Sequence, residues 1–341
     1  MRLRASRDDA AHLGGFLAAG LLAIGLIAGA STAQATETLT LQTANPDAIQ
    51  VAAAEEAPGE PEYSKGGTAG CLECHDETEQ HPVFSIFHTA HAQMGDPRTP
   101  LAQHGCESCH GPSAAHADKP RRYLPAVRFD GPNKSSAEAL DKTCISCHEG
   151  GLRMHWQGSQ HEAADVACSS CHTIHATRDP VLAKKSQPEV CESCHKEKRA
   201  ETFRFSHHPI REGKVACSDC HNPHGSFGPK LLKKATVNDT CFQCHQEKRG
   251  PFLWEHAPVV DNCMNCHNPH GSSQPRLLKA RGPYLCQECH LANFHPSTLY
   301  AGNGLVGGTQ SNMSRLLVKN CLNCHFAVHG SNHPAGSFFT R

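Results

Sequence analysis

Four things are scarce in this 341-residue chain: aromatic side chains, which make 6% of it, methionine, an excess of either charge, with 32 Lys and Arg against 33 Asp and Glu, and long apolar runs. The even charge argues against a nucleic-acid partner. Few aromatics, and a hydrophobic share of 38% that the cysteines themselves inflate, leave too little side-chain volume for an ordinary core. Past the N-terminus no stretch is apolar enough to cross a bilayer as a helix. After Met1 the only thioethers are Met94, Met154, Met264 and Met313. Against these shortages stand 20 Cys and 27 His.

The chain opens "MRLRASRDDAAHLGGFLAAGLLAIGLIAGASTAQA", with Arg2, Arg4 and Arg7, then an apolar run, then Ala33-Gln34-Ala35. The pattern predicts a secretory signal peptide over residues 1–35. The competing reading, a retained membrane anchor, fits less well, because the run is short, rich in Ala and Gly, and leads straight into a small-residue cleavage site. Residues 36–68 hold no Cys or His and are rich in Ala, Glu, Pro and Gly, which predicts a flexible acidic linker.

Every cysteine falls in a CxxCH pentapeptide. The ten copies are "CLECH" (Cys71, Cys74, His75), "CESCH" (Cys106, Cys109, His110), "CISCH" (Cys144, Cys147, His148), "CSSCH" (Cys168, Cys171, His172), "CESCH" (Cys191, Cys194, His195), "CSDCH" (Cys217, Cys220, His221), "CFQCH" (Cys241, Cys244, His245), "CMNCH" (Cys263, Cys266, His267), "CQECH" (Cys286, Cys289, His290) and "CLNCH" (Cys321, Cys324, His325). A zinc site gives no reason for a histidine after every second cysteine, and neither does a disulfide framework. The attachment of c-type haem does: two thiols bond to the porphyrin edge, and the adjacent histidine supplies the proximal nitrogen to iron. The sequence therefore predicts ten covalently bound c-type haems (iron) in a decahaem cytochrome domain over 69–341.

What fills the sixth position on each iron decides between electron transfer and catalysis. Met264 lies inside an attachment motif, so methionine cannot serve generally. Setting aside His12 and the ten proximal residues leaves 16 histidines for ten positions. One set trails alternate motifs: His116 in "CESCHGPSAAH", His175 after "CSSCH", His224 and His270 in the two "CHNPH" copies, and His329 in "CLNCHFAVH". A second set leads the same motifs: His91 (or His88), His161 in "SQHEAADVAC", His207 in "FSHHPIREGKVAC", His256 in "WEHAPVVDNC", and His295 in the last module. Five and five match the ten haems. His81, His104, His155, His208 and His333 receive no ligand role, although His333 competes with His295 and His329 near the C-terminus. The three-residue step from His267 to His270 is too short to reach the far face of one haem. His270 is therefore expected on a neighbouring haem, attached by an adjacent motif. Two histidines saturate iron and favour outer-sphere electron transfer at low potential.

The motifs pair into five modules, about 69–140, 141–188, 189–238, 239–283 and 284–341. Between the middle ones an echo recurs, "HATRDPVLAKK", "HGSFGPKLLKK" and "HGSSQPRLLKA", in which Pro and Gly set turns and the Leu pairs are expected to pack on porphyrin. Self-similarity at this period predicts a multihaem cytochrome c fold: elongated and haem-cored, with short helices and loops, almost no sheet, and five two-haem modules in a linear array.

The ten motifs at this length, "CESCHGPSAAH", the "CHNPHGS" copies and the terminal "KNCLNCHFAVHGSNHPAG" together resemble the periplasmic decahaem cytochromes of the MtrA/DmsE family. The resemblance implies a wire of bis-histidine haems, periplasmic and seated in an outer-membrane β-barrel porin. It also implies partners on both sides: periplasmic or inner-membrane cytochromes, and an extracellular multihaem cytochrome or metals such as iron minerals. A surrounding barrel would let a chain without a mature transmembrane helix conduct across a membrane. Two other readings stay open at this point. A soluble periplasmic shuttle to a terminal reductase would leave the cell with the periplasmic fraction and recover no barrel on pull-down. A multihaem enzyme would show an open, high-spin haem.

Overall fold

The structure, a computed structural model, describes residues 59–78, 82–290 and 321–340. The expected signal peptide, most of the expected linker, His81 and His295 lie outside the described residues.

Each CxxCH is a single helical turn. In all ten copies the backbone N–H of the histidine donates to the carbonyl of the first cysteine, at 2.9–3.1 Å, which is the i to i−4 bond of an α-helix. That turn puts residues i, i+3 and i+4 on one face, so both sulfurs and the imidazole emerge on the same side. Odd motifs close short helices, such as Ala137–Ile145, Gln187–Glu192 and Val237–Cys241, whereas even motifs open new turns, such as Cys168–Ser170, Cys217–Cys220 and Cys263–Asn265. The helices are too short to persist alone, and two of those named are fixed at their starts by side-chain caps. Ser136 Oγ accepts from Ala139 N–H at 3.3 Å, and Thr236 Oγ1 accepts from Asp239 N–H at 3.0 Å.

A buried polar side chain near the third, fifth and seventh motifs then holds the first turn of the even motif that follows. Asp141 Oδ1 accepts from Cys168 N–H at 2.7 Å, while Oδ2 accepts from Trp156 Nε1 at 2.9 Å. Gln187 Oε1 accepts from Ser218 N–H at 2.8 Å, and Asn238 Oδ1 from Cys263 N–H at 2.7 Å. Glu107, buried in the second motif, takes Ser64 N–H and Ser113 N–H. Because these acceptors are buried, each is committed to its partner at about 1–3 kcal/mol if the bond is lost.

Two bridges tie the later repeats together. Ser206 and Ser272 exchange both backbone hydrogen bonds (3.0 and 2.7 Å), and so do Trp254 and Ser331 (2.9 and 3.0 Å). The glycine after His224 and the glycine after His270 let the chains approach: Gly225 has φ +106°, and a Cβ there would meet the His155 carbonyl, while a Cβ on Gly271 would meet the Glu201 carbonyl.

Among the described residues there is no β-strand, only four isolated bridges. The buried apolar side chains among them are Leu101, Leu140, Trp156, Ala167, Ile210 and Ala216, fewer than the buried polar ones. A side-chain core of that size cannot offset the entropy of ordering more than two hundred residues, at about 1–2 kcal/mol each for the backbone. The fold class expected from the sequence is the one observed: short helices and loops carrying paired motifs.

Candidate metal centre

The attachment cysteines adjoin in chain order. The first cysteines pair across neighbouring motifs, Cys71 with Cys106, Cys144 with Cys168, Cys191 with Cys217, Cys241 with Cys263 and Cys286 with Cys321. The second cysteines make the intervening links, Cys109 to Cys144 and Cys147, Cys171 to Cys194, Cys220 to Cys244 and Cys266 to Cys289. Every attachment site thus neighbours the one before it and the one after it.

Nine of the ten motif histidines face a second imidazole with ring centres 6.0–6.3 Å apart: His75 with His116, His110 with His175, His148 with His91, His172 with His224, His195 with His161, His221 with His270, His245 with His208, His267 with His329 and His290 with His256. Iron between two imidazoles needs about 2 Å per metal–nitrogen bond and about 1 Å from nitrogen to ring centre on each side, which sums to about 6 Å. The donor set and its spacing fit a bis-histidine haem iron. For the tenth motif, His325 donates from Nδ1 to the Phe338 carbonyl, and His295, the leading histidine expected in the last module, lies outside the described residues.

The pairing is regular. Leading histidines reach forward to the next odd motif, as His91 does to His148 and His161 to His195. From the second module on, trailing histidines reach back to the preceding even motif, as His224 does to His172 and His329 to His267, whereas His116 in the first module reaches back to His75. His270 reaches His221 in the same way, passing over the sequence-adjacent motif at 241–245, so its partner is the even motif before, one place further than expected. The two crossing segments also bond to each other: Nδ1 of His161, His208 and His256 donates to the carbonyl just before the trailing histidine, Pro223 O at 2.9 Å, Pro269 O at 2.7 Å and Val328 O at 3.0 Å.

One expected residue is displaced by its neighbour. His207 turns away, with Nδ1 on the Arg204 carbonyl at 2.6 Å and Nε2 3.4 Å from Glu212, and it is His208 that faces His245. The Ser206–Ser272 bridge sets the direction. In the matching bridge Trp254 precedes His256 by two residues, and two residues after Ser206 stands His208. An alignment of "SQH", "SHH" and "WEH" would have shown it, since the facing histidine is third in each. Of the other candidates, His91 faces His148 while His88 is exposed, His104 stacks on Tyr63 at 4.0 Å, and the His333 Nδ1 accepts from Ala335 N–H.

Burial lowers the pKa of His110, His148, His221, His224, His256, His267, His270 and His329 below the ordinary histidine value. A neutral ring with Nδ1 protonated leaves the Nε2 lone pair for metal. Ring planes run from nearly parallel at His172, His221, His267 and His290, with 11–21° between planes, through 30° at His75 and 51° at His245, to steeply crossed at His110, His148 and His195, with 67–84°.

Ten turns that each present two sulfurs and a histidine, nine of them with a second histidine at iron-spanning distance, define a multihaem c-type cytochrome, a class that transfers electrons. The chain is 43% identical over 279 residues to the multiheme cytochrome MtrA of Shewanella baltica, covering 82% of this chain and 83% of that one, and it belongs to that family. The doubled CXXCH motif family matches residues 207–250 and 256–293, and the NrfB-like cytochrome c-type family matches 106–187. The cytochrome c-type protein NrfB of Escherichia coli is 32% identical over 136 residues, 38% of this chain and 66% of that one. Ten covalent c-type haems are accordingly its cofactors.

Proposed function

We propose that the chain is a ten-haem electron conduit, periplasmic and seated in an outer-membrane β-barrel porin, that passes electrons between periplasmic or inner-membrane cytochromes and an extracellular multihaem cytochrome or metals. Each bound haem supplies a one-electron iron couple. The chain's own residues do the rest: CxxCH fixes each porphyrin edge, and His75, His110, His148, His172, His195, His221, His245, His267, His290 and His325 hold one face. His116, His175, His91, His224, His161, His270, His208, His329, His256 and His295 would hold the other, in that order, with His295 assigned to His325 as the distal histidine expected in the last module.

The observation that supports this reading is the adjacency of successive attachment sites together with nine imidazole pairs whose spacing would admit an iron held by both rings. An iron held by both rings would have no position for a substrate, and haems bound at attachment sites in chain order would offer short steps from one end to the other. The five modules named from the sequence are the units of the array. Among the described residues no helix is long and apolar enough to cross a membrane, and a conduit of this kind relies on its barrel partner for insertion.

The deciding experiment places the protein with its porin in liposomes that enclose a redox dye. Reduction of the enclosed dye by an external donor, dependent on both proteins, is the expected result. Failure of that transfer, together with complete release of the cytochrome into the periplasmic fraction without a barrel, would sink the conduit and leave a soluble electron shuttle.

A further inference from the structure

The Nδ1 proton of each even-motif histidine has an acceptor, and one acceptor differs in kind. His110 donates to the Val127 carbonyl at 3.3 Å, His221 to Lys230 O at 2.9 Å, His267 to Arg276 O at 2.8 Å and His325 to Phe338 O. His172 donates instead to the carboxylate of Asp179, at 2.6 Å. The cause lies in the turns that follow three of these motifs, "DPVL", "GPKL" and "QPRL". After proline, Lys230 (φ +53°) and Arg276 (φ +61°) adopt the left-handed conformation that turns their carbonyls onto the histidine. The corresponding residue in the first copy is Val181, whose branched Cβ strongly disfavours positive φ. There the residue before proline, Asp179, supplies its side chain. The carboxylate is 12% exposed, and Oδ1 takes Thr173 N–H and Val181 N–H at 3.3 Å each, which aims Oδ2 at the ring.

We propose that Asp179 is a positioning residue that makes the haem on Cys168 and Cys171 harder to reduce than those on Cys217 and Cys220 or on Cys263 and Cys266. A short hydrogen bond to a carboxylate draws the Nδ1 proton away and strengthens the ring as a donor to iron, which favours the ferric state over the ferrous. The negative charge acts in the same sense. The facing ring adds nothing of the kind, since the Nδ1 of His224 is buried without a hydrogen-bond partner. The nearest rival, Glu201, lies 3.5 Å from His270 Nδ1 and is shared with Lys198 at 3.1 Å and Asn268 at 3.4 Å, so its pull on that ring is weaker. The inference rests on reading His172 and His224 as ligands of one haem.

The test compares the ten-haem protein with Asp179→Asn, Asp179→Ser and Asp179→Glu by potentiometric titration and by EPR of the oxidised form. Serine keeps a cap for Val181 N–H, so either neutral variant suffices if the other fails to mature. Loss of the carboxylate is expected to raise the potential of one haem in ten by about tenfold in its reduction equilibrium, 59 mV for a one-electron couple. One low-spin EPR component should change its g values, and glutamate should restore both readouts. Neutral variants whose titrations superimpose on the wild type, or shift downward, overturn the role of Asp179. A high-spin tenth of the haem in the wild type overturns the ligand reading instead.

Discussion

Replacing His208 by alanine is expected to open one haem in ten, and replacing His207 to open none. His208 stands 6.3 Å from His245 ring to ring, and its removal leaves that iron with one protein ligand. It also deletes the hydrogen bond to the Pro269 carbonyl, on the segment that carries His270. That bond is worth about 1 kcal/mol, too little to pull His270 from its own place opposite His221. The count of opened sites is therefore one rather than two. In the dithionite-reduced variant, carbon monoxide should bind at one molecule per ten haems, and the oxidised variant should gain a high-spin EPR signal of the same weight. His207→Ala loses contacts to Arg204 and Glu212 at the chain surface and should bind none. Carbon monoxide uptake by the His207 variant, with none by the His208 variant, would refute the assignment and restore the order expected from the sequence.

Three further outcomes are expected. Gly225→Ala should lower stability by about 2–3 kcal/mol, read as an earlier thermal transition, because a Cβ at φ +106° is strained and would press on the fixed His155 carbonyl; a flexible-loop glycine would show almost no change. Asp141→Ala should cost about 2–4 kcal/mol by orphaning the half-buried Cys168 N–H and the buried Trp156 Nε1, and the same melting measurement checks it. Chain produced without haem attachment should be unfolded by circular dichroism and quickly cleaved by protease, since the few buried apolar side chains cannot hold it; a protease-resistant apo form would contradict a haem-built core.

Much of the site was legible because thioether attachment demands a rigid local pattern. A turn that must present two sulfurs and a ring on one face leaves no freedom in spacing, so ten CxxCH pentapeptides specify ten helical turns and ten haems. The trailing ligands were nearly as readable, since His224 and His270 sit in repeated "CHNPHG" segments whose glycine is needed for chain approach. The choice between His207 and His208 was harder, because both satisfy the spacing and only the bridge from Ser206 to Ser272, a contact far apart in sequence, decides which side of the chain faces inward. The partner of His270 was hidden for a related reason: sequence adjacency suggested a flanking motif, whereas the back-reaching segment docks through Asn268 and Gly271 on Glu201 and ends at His221. The carboxylate on His172 follows from a single β-branched residue, and its effect becomes visible only when three turns are compared side by side.

A chain delivered to its compartment N-terminus first meets its haems out of step with their ligands. In the ligation proposed here, odd irons from the third onward find their second histidine already delivered, as His91 precedes His148 and His256 precedes His290. Even irons up to the eighth must wait for the following repeat, His110 for His175, His172 for His224, His221 for His270 and His267 for His329. Maturation then advances like a zip fastener with its last tooth always open: the newest even iron stays accessible until the next segment arrives and closes it. A nascent or truncated chain that stops at a module boundary exposes one reactive iron at its growing end, and only the completed length is sealed throughout.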